Sequence, residues 1–262
     1  MRALLGAVFL CSSLPAFAQS ASEVPESGVK ETPIEVPDPT PTGLLLAWKP
    51  SILSVRVDSG TGTKFGSDSL ELVRGLARYT FRVVKEKPFF ARFELEGGRF
   101  ETEDQGLGST GLDATARALL GASTRISPGI VVVASAGLIT RYQVGRSANG
   151  APTIGVFGLD TNIELSYRIL PTITLSGYLE GAITPLPYLA QDNLGDLSDA
   201  DEFRFRFQVS FDITRSAAMD IGYDFTRWHA AFTNSSILNT TDRALIVESR
   251  EHAATLGLRL RL

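Results

Sequence analysis

From Gly43 onward the side chains alternate in character with a period of two. In the clearest stretch Phe203, Phe205, Phe207, Val209, Phe211 and Ile213 fall on one face, and Arg204, Arg206, Gln208, Ser210 and Asp212 on the other. Successive side chains of an extended strand point to opposite faces, whereas a helix repeats every 3.6 residues, so the pattern specifies strands. A second stretch sets Leu159, Ile163, Leu165, Tyr167 and Ile169 against Asp160, Asn162, Glu164, Ser166 and Arg168. Strands are predicted near 51–58, 69–84, 89–101, 111–126, 130–143, 154–169, 172–184, 202–213, 218–229 and 246–262.

The connections between these runs alternate in length. Short turns fall at Lys85-Glu86-Lys87-Pro88, Ser127-Pro128-Gly129, Leu170-Pro171 and Thr214-Arg215-Ser216-Ala217. Longer polar loops are predicted near 59–68, 102–110, 144–153, 185–201 and 230–245. Short turns on one side, long loops on the other and an even strand count predict an all-β fold: a closed antiparallel transmembrane β-barrel of about ten strands, roughly eight to twelve fitting the same pattern. Both termini then lie on the short-turn, periplasmic side.

Alternation alone does not say which face is inside. Three observations put the apolar face outward. The polar face carries full charges at mid-strand, among them Arg78, Arg92, Glu94, Arg117, Asp160, Glu164, Glu180 and Arg206. The fourth run has a row of Ala114, Ala116, Ala118, Leu120 and Ala122, better suited to lipid contact than to a packed core. Aromatic residues such as Tyr79, Phe81, Phe89, Phe93, Tyr142, Tyr167, Tyr223 and Phe225 sit toward strand ends, where interfacial girdles form.

The N-terminal part is different. Arg2, the apolar run Ala3–Leu10 and the small-x-small site Ala16-Phe17-Ala18 make residues 1–18 a secretory signal cleaved before Gln19. Removing it takes away Cys11, the single cysteine, so disulfide and thiolate chemistry are not expected of the mature chain. Residues 19–42 hold five prolines, five acids and Lys30, and read as an acidic periplasmic linker; the barrel occupies 43–262. Charged residues at 21% argue against a polytopic helical membrane protein, and a net charge of −4 gives no reason to expect a nucleic-acid partner.

The chain ends inside its last strand, on Thr255-Leu256-Gly257-Leu258-Arg259-Leu260-Arg261-Leu262. This resembles the C-terminal signature by which outer-membrane barrel proteins are recognised by the barrel-assembly machinery, with Thr255, Gly257, Leu260 and Leu262 in the signature places. The departure is Leu262, where that class usually has an aromatic residue. The resemblance is to small bacterial outer-membrane barrels of the porin-like and opacity-protein-like class. It implies the outer membrane of a Gram-negative bacterium, with membrane lipid, lipopolysaccharide and the assembly machinery as partners.

Some barrels of this kind are enzymes. Barrel phospholipases and lipid A deacylases resemble one another in a His-x-Ser pair, the histidine serving as base to the serine. Here His229 and His252 are each followed by Ala-Ala. The omptin proteases use an Asp pair with a His-Asp pair, which Asp199, Asp201 and His229 echo without the Asp-x-His element. No catalytic residue, metal site or cofactor is therefore assigned. His229 and His252, with Arg227 and Arg250, are placed by parity on the outer wall near the external rim, as candidate contacts for lipopolysaccharide phosphates.

The lumen holds the largest collection of charge. Inward parity gathers Arg56, Arg74, Arg78, Arg82, Arg92, Arg117, Arg125, Arg141, Arg168, Arg204, Arg206, Arg259 and Arg261. Facing them are Glu94, Glu96, Asp113, Asp160, Glu164, Glu180, Asp212, Asp220 and Asp224. A barrel this narrow either interlocks such charges as a salt-bridged plug or lines a thin arginine-rich conduit. The expected function is a non-enzymatic barrel, either a porin-like narrow channel or a passive one. The alternative is a structural component of an envelope-spanning motility, secretion or adhesion complex, docked through residues 19–42 or the loops.

Overall fold

A computed structural model describes residues 42–59, 62–104, 107–145, 153–190, 195–233 and 244–261. The signal segment, all of the acidic linker before Thr42, and Leu262 lie outside the described residues. Ten strands follow in order: β1 (Gly43–Ser59), β2 (Gly62–Arg82), β3 (Phe89–Asp104), β4 (Leu107–Ser127), β5 (Ile130–Gly145), β6 (Ile154–Leu170), β7 (Ile173–Ala190), β8 (Asp196–Asp212), β9 (Ala217–Thr233) and β10 (Ala244–Leu260). Each pairs antiparallel with its sequence neighbours, and β1 pairs with β10 to close the ring. Closure leaves no sheet edge unpaired, which is what strands need in lipid.

The strands are longer than the sequence predicts, running from 16 to 21 residues. A tilted membrane strand needs only about 9–11. The surplus lies largely at the long-loop end. There the segments 59–68 and 102–110 contribute to strands, leaving only residues 60–61 and 105–106 between β1 and β2 and between β3 and β4. Polar composition suggested loops, but a strand beyond the membrane pairs through its backbone and needs no apolar face. Likewise β1 begins at Gly43 rather than 51, because Pro50 does not end it. The β1–β10 pairing passes from Trp48↔Leu256 to Ser51↔Ala253, and the proline's missing N–H falls in that gap.

The exterior is apolar. Leu46, Trp48, Ile52, Leu95, Leu120, Leu159, Ile163, Leu179 and Phe207 are all exposed, with Tyr79, Phe81, Phe93, Tyr167 and Tyr223 on the same surface. The interior carries the charge. Gly97-Gly98 reads in the sequence as a bend or bulge, yet the β2–β3 register runs unbroken through it. The structure gives a different reason for Gly98: a Cβ there would lie 2.3 Å from the Val73 carbonyl oxygen and 2.6 Å from Cγ of Arg74. The glycine leaves room for the Arg74 stem to enter the lumen.

Candidate functional site

Eight cationic side chains are buried among the described residues: Lys49, Arg74, Arg78, Arg92, Arg117, Arg141, Arg204 and Arg206. Nine carboxylates are buried with them: Glu94, Glu96, Asp113, Asp160, Glu180, Glu202, Asp220, Asp224 and Glu251. Isolated charges cannot be held in so dry a place, so each sign has to find the other. The nearly equal numbers allow this.

Arg204 and Arg117 are the hubs. Arg204 on β8 donates to Glu94 at 3.0 Å and Glu96 at 2.6 Å, both on β3, and to Asp224 on β9 at 2.8 Å. In a ten-strand ring β3 and β8 are five strands apart by either route, so they stand on opposite walls. The pairs to Glu94 and Glu96 therefore cross the full lumen. Arg117 on β4 lies 2.5 Å from Glu202, 2.7 Å from Glu180 and 3.3 Å from both Asp160 and Glu94. Arg141 links Glu202 at 2.9 Å to Asp113 at 2.7 Å. Arg74 reaches Asp113, Glu251 and Glu96 at 2.7, 2.8 and 3.1 Å. Lys49 bridges Glu96 and Asp224. Arg78 meets Glu94 at 2.6 Å and Arg206 meets Asp224 at 3.0 Å. The middle of the barrel is one continuous lattice of ion pairs.

Above the lattice, at the long-loop end, the lumen becomes apolar. Val57, Ile154, Val156, Ala200, Trp228, Ala230, Phe232, Leu245 and Val247 pack together there, all buried. The Arg141 guanidinium lies over the Trp228 ring, 5.2 Å from its centroid, and joins this cap to the lattice. Below the lattice, toward the short turns, the inward row is charged and wetter. Arg82, Arg125, Glu164, Arg168 and Asp212 are half-buried there. Arg259 meets Asp220 at 2.8 Å, and Arg261 pairs with Asp212.

One inward assignment is corrected. Arg56 faces outward, its side chain 60% exposed and paired with Asp58 at 2.7 Å. Parity failed in β1 because the inward row at this level is Leu53, Val55 and Val57, as apolar as an outward row. The sequence reading also left Lys49, Glu202 and Glu251 out of the lumen. Glu202 and Glu251 share the parity of Arg204 and Arg259, so alternation alone could have found them. Lys49 was lost with the early start of β1.

On the outer wall toward the long-loop end, Arg227 and Arg250 stand opposite each other across β9 and β10. Both donate to the same carboxylate, Glu248, at 2.8 and 3.0 Å. His252 shares a hydrogen bond of 2.6 Å with the Tyr223 hydroxyl, and His229 Nδ1 lies 3.4 Å from Asp201. These side chains point away from the lumen, and Glu248 already meets both arginines. Of the C-terminal signature, Thr255, Gly257 and Leu260 lie in β10.

An apolar exterior around a charged interior inverts the dress of a soluble barrel, and only lipid accepts it. The chain is built as a membrane-spanning β-barrel. No protein-family model matches it, and no curated protein sequence is similar to it. Among solved structures it is similar to the outer-membrane protease OmpT of Escherichia coli, at 10% identity and a TM-score of 0.42, covering 85% of this chain and 98% of that one. It is also similar to the neisserial surface protein NspA, at 14% identity and a TM-score of 0.33, over 84% of this chain and 98% of that one. A third is OprG of Pseudomonas aeruginosa, at 6% identity and a TM-score of 0.37, over 85% and 98%. Likeness at this level transfers no activity.

Proposed function

We propose that this protein is a closed, non-enzymatic outer-membrane barrel that serves as a membrane-embedded scaffold rather than a passage, with its short turns and both termini in the periplasm. The observation that carries this reading is the pair of contacts from Arg204 to Glu94 and Glu96 on the opposite wall. A hydrated conduit keeps water between facing walls. Here the walls touch through side chains, and the apolar cap around Trp228 and Phe232 blocks the same axis a second time. Between the two forms expected of such a barrel, porin-like and passive, this supports the passive one.

The non-enzymatic part of the reading rests on where the histidines face. His229 and Asp201 lie close enough for a catalytic pair, but on the outer wall, facing away from the lumen. Liposome swelling tests the scaffold reading. Vesicles carrying the protein should swell in monosaccharide or amino-acid solutions no faster than empty ones. Solute entry at porin-like rates would overturn it.

A further inference from the structure

The short-turn end of the lumen contains a small cavity at the edge of the ion-pair lattice. It is lined by Thr42, Gly43, Leu45, Arg78, Thr80, Arg92, Glu164 and Arg259. Its volume is about 20 Å³, room for a single water-sized body. Three arginines and one acid, Glu164, are among its lining residues. Arg78 is engaged with Glu94 and Arg259 with Asp220.

Arg92 is the unusual member. It is only 1% exposed, and its one acid partner is Glu164, at 3.3 Å through Nη2. Its Nε and Nη1 are buried and have no hydrogen-bond acceptor among the described residues. The Phe90 ring, 5.3 Å away, covers another side of the guanidinium but accepts no such bond. A buried guanidinium with two idle donors is costly, since each donor has lost water and gained nothing. Further out, Arg82, Arg125 and Arg168 also face inward, with Asp212 paired to Arg261 among them.

We propose that this cavity is a binding site for one small inorganic anion of halide size, held by the free Nε and Nη1 of Arg92 with Arg78 and Arg259 beside it. The anion supplies the missing acceptor. Glu164 competes for the same guanidinium. The size of the cavity selects against phosphate and carboxylate ligands, and access is from the mouth past Arg259, whose side chain is 25% exposed.

The test uses the full chain refolded in detergent micelles. Sodium bromide replaces sodium gluconate at constant ionic strength while the thermal unfolding midpoint is followed. The wild-type midpoint should rise and saturate with bromide, and a bromide-soaked crystal should show an anomalous peak beside Arg92. In Arg92→Gln the half-saturating concentration should increase roughly tenfold or more, from the loss of the charge-assisted hydrogen bonds of Nε and Nη1. In Glu164→Gln it should fall, because the competing carboxylate is gone; this variant decides the matter if Arg92→Gln does not fold. Arg227→Gln on the outer wall should leave the response unchanged. A response that never saturates, one unaltered in both lumen variants, or one produced by phosphate but not bromide would overturn the proposal.

Discussion

The two ends of the lumen are built from opposite materials around the same central lattice. At the long-loop end Trp228, Phe232, Val57, Val156 and Val247 form a dry cap of buried apolar side chains. At the short-turn end the inward residues include many arginines, acids and hydroxyls, with Arg259 and Arg261 still partly in contact with solvent. Each part of the lumen is thus stabilised by a different force. The cap gains from burying apolar surface, at about 25 cal/mol per Å². The lattice gains nothing net from its charges unless all are matched, so its members depend on one another. The short-turn mouth keeps its charges partly hydrated and depends least on any single pair.

That difference can be tested by removing one residue from each region and measuring urea unfolding of the refolded barrel. The largest loss is expected in the lattice. Arg204→Met leaves Glu94, Glu96 and Asp224 without a shared cation and should cost about 3–5 kcal/mol. A loss below about 1 kcal/mol would show that the pairs across the lumen do not form. The cap should come next. Trp228→Ala opens a cavity among apolar neighbours, with an expected cost of about 3 kcal/mol and little dependence on salt. At the mouth, Arg259→Gln removes a part-buried pair with Asp220 and should cost about 1–2 kcal/mol. The smallest effect is expected outside the lumen. Arg227→Gln breaks an exposed pair with Glu248 and should change stability by less than about 1 kcal/mol.

The same contrast explains what the sequence could show. Where the inner row is charged and the outer row apolar, alternation assigns every side chain, as for Arg204 and Arg206 between Phe203, Phe205 and Phe207. Where the inner row is apolar and the outer row polar, as with Val55 and Val57 inside and Arg56 and Asp58 outside, the sign of the alternation reverses. Arg56 was misplaced next to Val55 and Val57 for that reason, and the cap went unnoticed. Trp228 beside His229 shows the same blindness, since a buried tryptophan and an outward histidine invert the expected order. Pairing was hidden for another reason. Parity says that Arg204 and Glu96 both face inward, but only the ring's closure shows that β8 and β3 oppose each other at the same height. The strand extensions at the long-loop end were unreadable because membrane-free strands need no alternation at all.

The central claim is that the barrel is closed, and single-channel recording in planar bilayers tests it most directly. The wild-type protein, inserted at low density under a steady potential, should give a flat trace with no reproducible current steps. Regular steps of uniform size from the wild-type protein would contradict the account, because ions would then be passing where Arg204 is held to meet Glu94 and Glu96.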